Sequence, residues 1–129
     1  LKPTPWLTER HGYDPTFDGR VMGLYVLRPN DVGRCAHVGN ASYAVASSVR
    51  GLGLGRALVE DSLAQAARKG FRGLQLNAVA AGNEPAIRLC EGLGFAHVGT
   101  IPGGFANFMG DYEDVRIYYK STVPAWRAC

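Results

Sequence analysis

SSVRGLGLGRALVEDSLAQAARKG, residues 47–70, sets three glycines on alternate positions between two arginines and then runs at once into a helical pattern. From Gly55 to Lys69, Val59, Leu63 and Ala66 line one face, with Leu58 and Ser62 at its edges. Glu60, Asp61, Gln65 and Arg68 point away, the pattern of a helix lying on a sheet. Lys69-Gly70 is a suitable C-terminal stop.

Three phosphate-binding patterns compete for the glycines. A P-loop needs Lys and then Ser or Thr after its last glycine; Arg56-Ala57 stands there instead. A dinucleotide fingerprint needs a third glycine, and that position holds Arg56 counted from Gly51, or Leu58 counted from Gly53. The pattern R-x-x-G-x-G does match, as Arg50, Gly53 and Gly55, with Gly51 extra. Glycines admit close approach of a ligand and unusual φ values. The unpaired amides of the first helical turn then point outward at the positive end of the helix dipole. Arg50 and Arg56 add charge that can meet phosphate oxygens. This reads as a pyrophosphate seat; the competing reading is a glycine-rich turn required only for close helix–sheet packing.

On the N-terminal side, VMGLYV (residues 21–26) reads as a strand that ends at the turn RPNDVGR. CAHVGNASYAVA (residues 35–46) reads as a second strand with an irregularity near Gly39. On the C-terminal side, LQLNAV (residues 74–79) is a strand, and Asn83 caps a short helix with Glu84 and Pro85 in its first turn and Gly92 or Gly94 ending it. FAHVGT and VRIYY, residues 95–100 and 115–119, close the chain as strands. The order β-β-α-β-α-β-β predicts an α/β (α+β) domain with a mixed, mostly antiparallel sheet, two antiparallel pairs outside a βαβ core, and helices on both faces. At 129 residues the expectation is one domain: an irregular lead-in over 1–20, a core over 21–120 and a tail over 121–129.

Bulk composition narrows the partners. A net charge of +3 is too small to argue for nucleic acid, and the arginines are scattered without interleaved aromatics. No apolar run approaches the roughly 20 residues of a membrane span. Cys35, Cys90 and Cys129 are odd in number and lack C-x-x-C spacing. They argue against a disulfide framework or a zinc knuckle and fit a reducing cytoplasm, with no metal expected.

With the R-x-x-G-x-G loop and, further on, NEPAIRLCEGLGF (residues 83–95), the chain resembles the GCN5-related N-acetyltransferases (GNAT) over roughly residues 20–120. LRPNDVGRCAHVGNASYAV, LQLNAVAAGNEPA and GDYEDVRIYY also look like the subgroup that acetylates proline analogues such as azetidine-2-carboxylate. The resemblance implies acetyl-CoA as co-substrate and a splayed parallel pair of strands at the centre of the sheet. It implies a small-molecule amine as acceptor, an amino or imino acid among the candidates, attacking the thioester directly. A homodimer is carried as an expectation. The alternative is an acyl-CoA-binding regulatory module of the same fold without turnover. Family members carry a strand and two helices ahead of the strand placed at Val21. Here those elements are expected to be short or missing, either cut from the N-terminus or replaced by another subunit or segment.

The resemblance assigns the diphosphate to the amides of Gly51, Gly53, Gly55 and Arg56, beside Arg50, and the pantetheine to strand-edge backbone groups near Tyr43 to Val45, with Val45 the single choice. Asn83 contacts the pantetheine or simply caps the second helix. Asn40 and Asn77 stand inside strands, where Asn is unfavourable; the resemblance gives them the acceptor's carboxylate and nitrogen, and the alternative is that they satisfy backbone groups at the splay or at a bulge. Cys90 stands where many relatives place a Tyr that protonates the leaving thiolate. A thiol could donate a proton, or simply pack as a small apolar group. His37 is expected to be structural, and Asp111, Glu113 and Asp114 to form a solvated turn or to offer a base.

Overall fold

A computed structural model describes residues 7–8, 12–13, 16–17, 20–46 and 53–123. Short antiparallel pairs open it: β1 (Leu7–Thr8) with β2 (Gly12–Tyr13), and β3 (Thr16–Phe17) with β4 (Arg20–Val21). The stretch expected as an irregular lead-in therefore contains paired backbone. The main sheet follows: β5 (Gly23–Pro29), β6 (Val38–Val45), β7 (Gly73–Ala80), β8 (Ala96–Ala106) and β9 (Tyr112–Ser121). Its spatial order is β5-β6-β7-β9-β8, with β6 and β7 parallel and every other pair antiparallel. Helix α1 (Leu54–Arg68) joins β6 to β7, and α2 (Glu84–Gly92) joins β7 to β8. Among the described residues, no helix is long and apolar enough to cross a membrane.

Among the described residues, both helices lie on one face, where the sequence leads one to expect helices on both. Val59 and Ala66 of α1 and Cys90 of α2 share one buried cluster with Ala41, Leu74, Leu76 and Tyr118. The reason is topological. β6–α1–β7 and β7–α2–β8 are both crossovers between strands of like direction, and both step the same way across the sheet. Right-handedness then puts each helix on the same side. A second cluster packs Leu54 and Leu58 of α1 on Met22 and Tyr25.

Alternation and register sort the other strand residues. Tyr25 opposes Tyr43, Leu27 opposes Ala41 and Leu76 opposes Tyr118, all toward the helices. Leu24, Val26, Arg28, Ser42, Asn40 and Gln75 belong to the opposite, open face. There Leu24 is 40% and Val26 38% exposed.

Several boundaries differ from expectation. β5 runs on to Pro29, which an edge strand tolerates because it needs no outward amide. β6 starts only at Val38, because Gly33–Cys35 forms a 3-10 turn. The register of β5 on β6 is unbroken through Gly39, so no irregularity lies there. Gly39 makes room instead: a Cβ would stand 3.1 Å from the ring of Phe71. The irregularity is in β7, where Leu76 opposes Tyr118 and Val79 opposes Arg116, leaving Asn77 and Ala78 against a single partner. That is a β-bulge.

Candidate active site

β6 and β7 pair over only three rungs, Val38–Gly73, Gly39–Leu74 and Asn40–Gln75, and then part. A cavity of ≈ 600 Å³ fills the gap. Its lining comes from both faces of the sheet. Tyr43, Val45 and Leu76 join Gly55 and Val59 of α1 and Leu89 and Cys90 of α2 on the helix side, whereas Arg28, Asn40 and Ser42 stand on the open face. The cavity therefore passes through the sheet. Beyond Asn40, β6 keeps β5 on one side and turns its other edge to the gap, where no described strand pairs with it and an extended ligand could.

The start of α1 abuts the helix-side end. Gly53 is the N-cap, with φ 82°, and among the described residues no side chain caps the helix. The first helical bond runs from the Ala57 N–H to the Gly53 carbonyl at 3.1 Å, so the amides of Leu54, Gly55 and Arg56 precede regular helical pairing. No acidic residue occupies the first turn. Among the described residues, an added Cβ at Gly55 would meet only Leu89 Cδ2 at 3.8 Å, and at Gly53 nothing within 4 Å. Close helix–sheet packing thus does not explain these glycines. It explains Gly23, where a Cβ would stand 3.1 Å from both the Ala44 carbonyl and Leu58. The Arg56 side chain reaches along the helix to Glu60 at 3.3 Å, so Arg56 offers the loop its amide while its guanidinium is engaged. Arg50 and Gly51 lie outside the described residues.

Asn83 caps α2, its Oδ1 accepting from the Ala86 N–H at 3.3 Å, and it also lines the cavity. Asn40 is 5% exposed, and its Nδ2 donates to the Gln75 carbonyl at 3.1 Å across the last rung. Among the described residues, nothing donates to its Oδ1. Asn77 sits exposed on the bulge with both ends engaged: Gln75 Nε2 donates to its Oδ1 at 2.8 Å, and its Nδ2 donates to Asn30 Oδ1 at 2.7 Å. The structure brings Asn40 and Asn77 to one cavity, but in different states. Asn40 stands at the splay and Asn77 on the bulge.

Two titratable groups face the cavity from the helix side. Ser62 Oγ donates to the Val59 carbonyl at 2.7 Å, so its contact with Tyr43 at 2.6 Å uses the phenol's hydrogen. Burial pushes the Tyr43 hydroxyl above its usual range, against the lowering effect of Ser62. Burial, and then the neighbouring Glu91, also raise the Cys90 thiol. At 4% exposure inside the main cluster, Cys90 fits the packing reading.

Other candidates fall away from the cavity. His37 is exposed in the turn before β6. Glu113 accepts from the Gly82 amide at 3.0 Å and from Asn107 at 2.9 Å, while Asp114 accepts from the Gly103 amide at 2.9 Å. They brace loops, and neither they nor Asp111 line the cavity. Among the described residues, no group of three or more His, Cys, Asp or Glu is placed to hold a metal. Arg28, Ser42 and the Tyr43 side chain were not singled out by sequence reasoning. The signal that could have found Arg28 is the antiparallel register that sets it opposite Asn40.

Residues 5–95 match the acetyltransferase (GNAT) family. The chain belongs to that family. It is 37% identical over 99 residues to the N-acetyltransferase aca1 of Schizosaccharomyces pombe, a match covering 76% of this chain and 47% of that protein. The chain thus spans about half the length of that relative. A GCN5-related N-acetyltransferase from Kribbella flavida superimposes with a TM-score of 0.79 at 36% identity, over 90% of this chain and 72% of the other. A putative acetyltransferase of Salmonella typhimurium, yncA, solved with its cofactor acetyl-CoA, shares the fold at 23% identity and a TM-score of 0.79, over 92% and 70% of the two chains. In this GNAT chain, the parallel pair β6–β7 parts beside the start of α1.

Proposed function

We propose that the chain transfers the acetyl group of acetyl-CoA to the amine of a small molecule, with amino and imino acids the favoured acceptors. One observation carries this reading: the cavity at the parting of β6 and β7 runs from the open face to the uncapped start of α1 at Gly53–Arg56. Acetyl-CoA supplies an activated acyl carbon, as a thioester. The amides of Gly53, Gly55 and Arg56, with Gly51 and Arg50 ahead of them, would hold its diphosphate by hydrogen bonding at the positive helix end. Free peptide groups of β6 around Val45 would pair with the pantetheine arm, and Asn83 borders the same channel. Asn40 and Asn77 line the acceptor's approach.

The amine nitrogen bonds to the acyl carbon and the carbon–sulfur bond breaks. The amine's surplus proton leaves, and the departing thiolate takes one up. Tyr43 and Cys90 are both held protonated at neutral pH, so neither can accept the amine's proton. Solvent at the open face is left as its route. Alignment of amine and thioester then supplies most of the rate gain. Cys35 and Cys90, both free thiols, accord with a reducing cytoplasm. A homodimer belongs to the same proposal and is supported by edge strand β8, which leaves Val98 58% and Ile101 49% exposed.

The test is thiol release from acetyl-CoA against a panel of amines, alongside calorimetry with CoA. Acceptor-dependent release supports transfer. Binding without release from any amine favours the regulatory module, and absence of binding removes the reading altogether.

A further inference from the structure

We propose that Arg28 is the carboxylate receptor of the acceptor site, working with Asn40 Oδ1 as a two-point clamp for amines that carry an adjacent carboxylate. This rests on the transfer reading above and adds the residue that selects the acceptor's carboxylate.

Arg28 is the one charged side chain in the cavity lining among the described residues. The ion pairs among the described residues join Arg56 to Glu60, Arg88 to Glu84 and Arg116 to Glu91; none involves Arg28, and no described side chain hydrogen-bonds to it. Arg28 and Asn40 are direct cross-strand partners on the open face. Directly opposed residues hold their Cβ atoms about 5 Å apart, so both side chains reach one small ligand. The diphosphate seat at the start of α1 lies on the helix side, so it does not account for a cation on the open face.

The two groups complement each other. Guanidinium presents a planar fork of donors that fits a carboxylate bidentately. Asn40 Oδ1 is a buried acceptor lacking a donor, and an unmet buried acceptor is costly. An amine N–H directed into the gap supplies that donor. Nδ2 cannot turn to compete, because the Gln75 carbonyl already holds it at 3.1 Å. An amine whose carboxylate rests on Arg28 is therefore oriented with its nitrogen beside Asn40, at the entrance to the channel toward the thioester. Asn77, fixed between Gln75 and Asn30, acts as a positioning residue that keeps this wall in place.

The experiment compares free α-amino and α-imino acids with their primary amides as acceptors, in the unmodified chain, Arg28→Met and Arg28→Lys, following CoA thiol release. Arg28 is exposed, and matching melting curves confirm that the variants fold. In the unmodified chain the free acids are expected to be preferred. Arg28→Met should raise KM for the acids roughly 10- to 100-fold with kcat within about threefold, leave the amides unchanged, and be partly rescued by Arg28→Lys. Equal use of acids and amides, or an Arg28→Met chain that keeps its KM for the acids, overturns the clamp while acetyl transfer stands. Release with no amine at all overturns both readings.

Discussion

Asn40 and Gln75 share the last rung of the parallel ladder, and the side-chain amide of Asn40 donates to the Gln75 carbonyl at 3.1 Å. One residue thus ends the pairing of β6 and β7 and opens the cavity. Asn40→Ala removes the donor and leaves a part-buried carbonyl without it, at a cost of roughly 1–3 kcal/mol. Asn77→Ala, at an exposed bulge position, should cost about 0.5 kcal/mol or less. Urea denaturation of the two variants compares them directly, and equal losses would contradict this division of roles.

Gly53 and Gly55 should answer to substitution in opposite ways. Gly53→Ala forces a Cβ into the left-handed region at φ 82° and should cost about 1–2 kcal/mol of stability. Gly55→Ala meets only an ordinary contact with Leu89 at 3.8 Å in a helix and should be neutral or stabilising by up to about 1 kcal/mol. Its penalty falls on the ligand, as CoA affinity lowered roughly tenfold or more, because the backbone can no longer approach so closely. Thermal melts with calorimetry read both quantities. Undiminished CoA affinity in Gly55→Ala would separate this glycine from the diphosphate.

Cys90→Ala tests the thiol. Its burial in the main cluster predicts a stability loss on the order of 1 kcal/mol, with turnover retained within a few-fold. A loss of turnover by two orders of magnitude in a folded variant would instead make the thiol a proton donor.

The pH dependence of transfer follows from the protonated state of Tyr43 and Cys90. With no base lining the site among the described residues, the amine must arrive neutral. The logarithm of kcat/KM should rise with unit slope from pH 6 and level off at the pKa of the amine itself. Acceptors of different basicity should shift that plateau in step. A plateau common to all acceptors would indicate a titrating group on the protein.

Stability should fall at alkaline pH for the same reason. Folded pKa values raised above the unfolded ones mean that the native state holds protons more tightly. The Cys90 contribution is complete below about pH 8.5 and the Tyr43 contribution below about pH 10; each is lost as pH climbs toward the folded value. Tyr43→Phe should therefore flatten the alkaline limb of a melting-temperature profile, and an unaltered limb would count against the assigned burial.

Helix α1, the cap at Asn83 and the glycine loop could be read from residues 47–95 alone, because periodicity, capping and φ-permissive residues are local signals. The same stretches carry the resemblance to the family. Which glycine serves packing could not be read there: Gly23, Gly53 and Gly55 look alike in sequence, and only the neighbours brought up by folding separate them. Nor could the common face of α1 and α2, which depends on both crossovers stepping the same way across the sheet. Asn40 and Asn77 looked equivalent as polar residues in strands. Register decided between them, since the last rung leaves the oxygen of one unmet while the bulge gives the other two partners. Arg28 acquires meaning in the same way, through a cross-strand pairing twelve residues apart that no local pattern encodes.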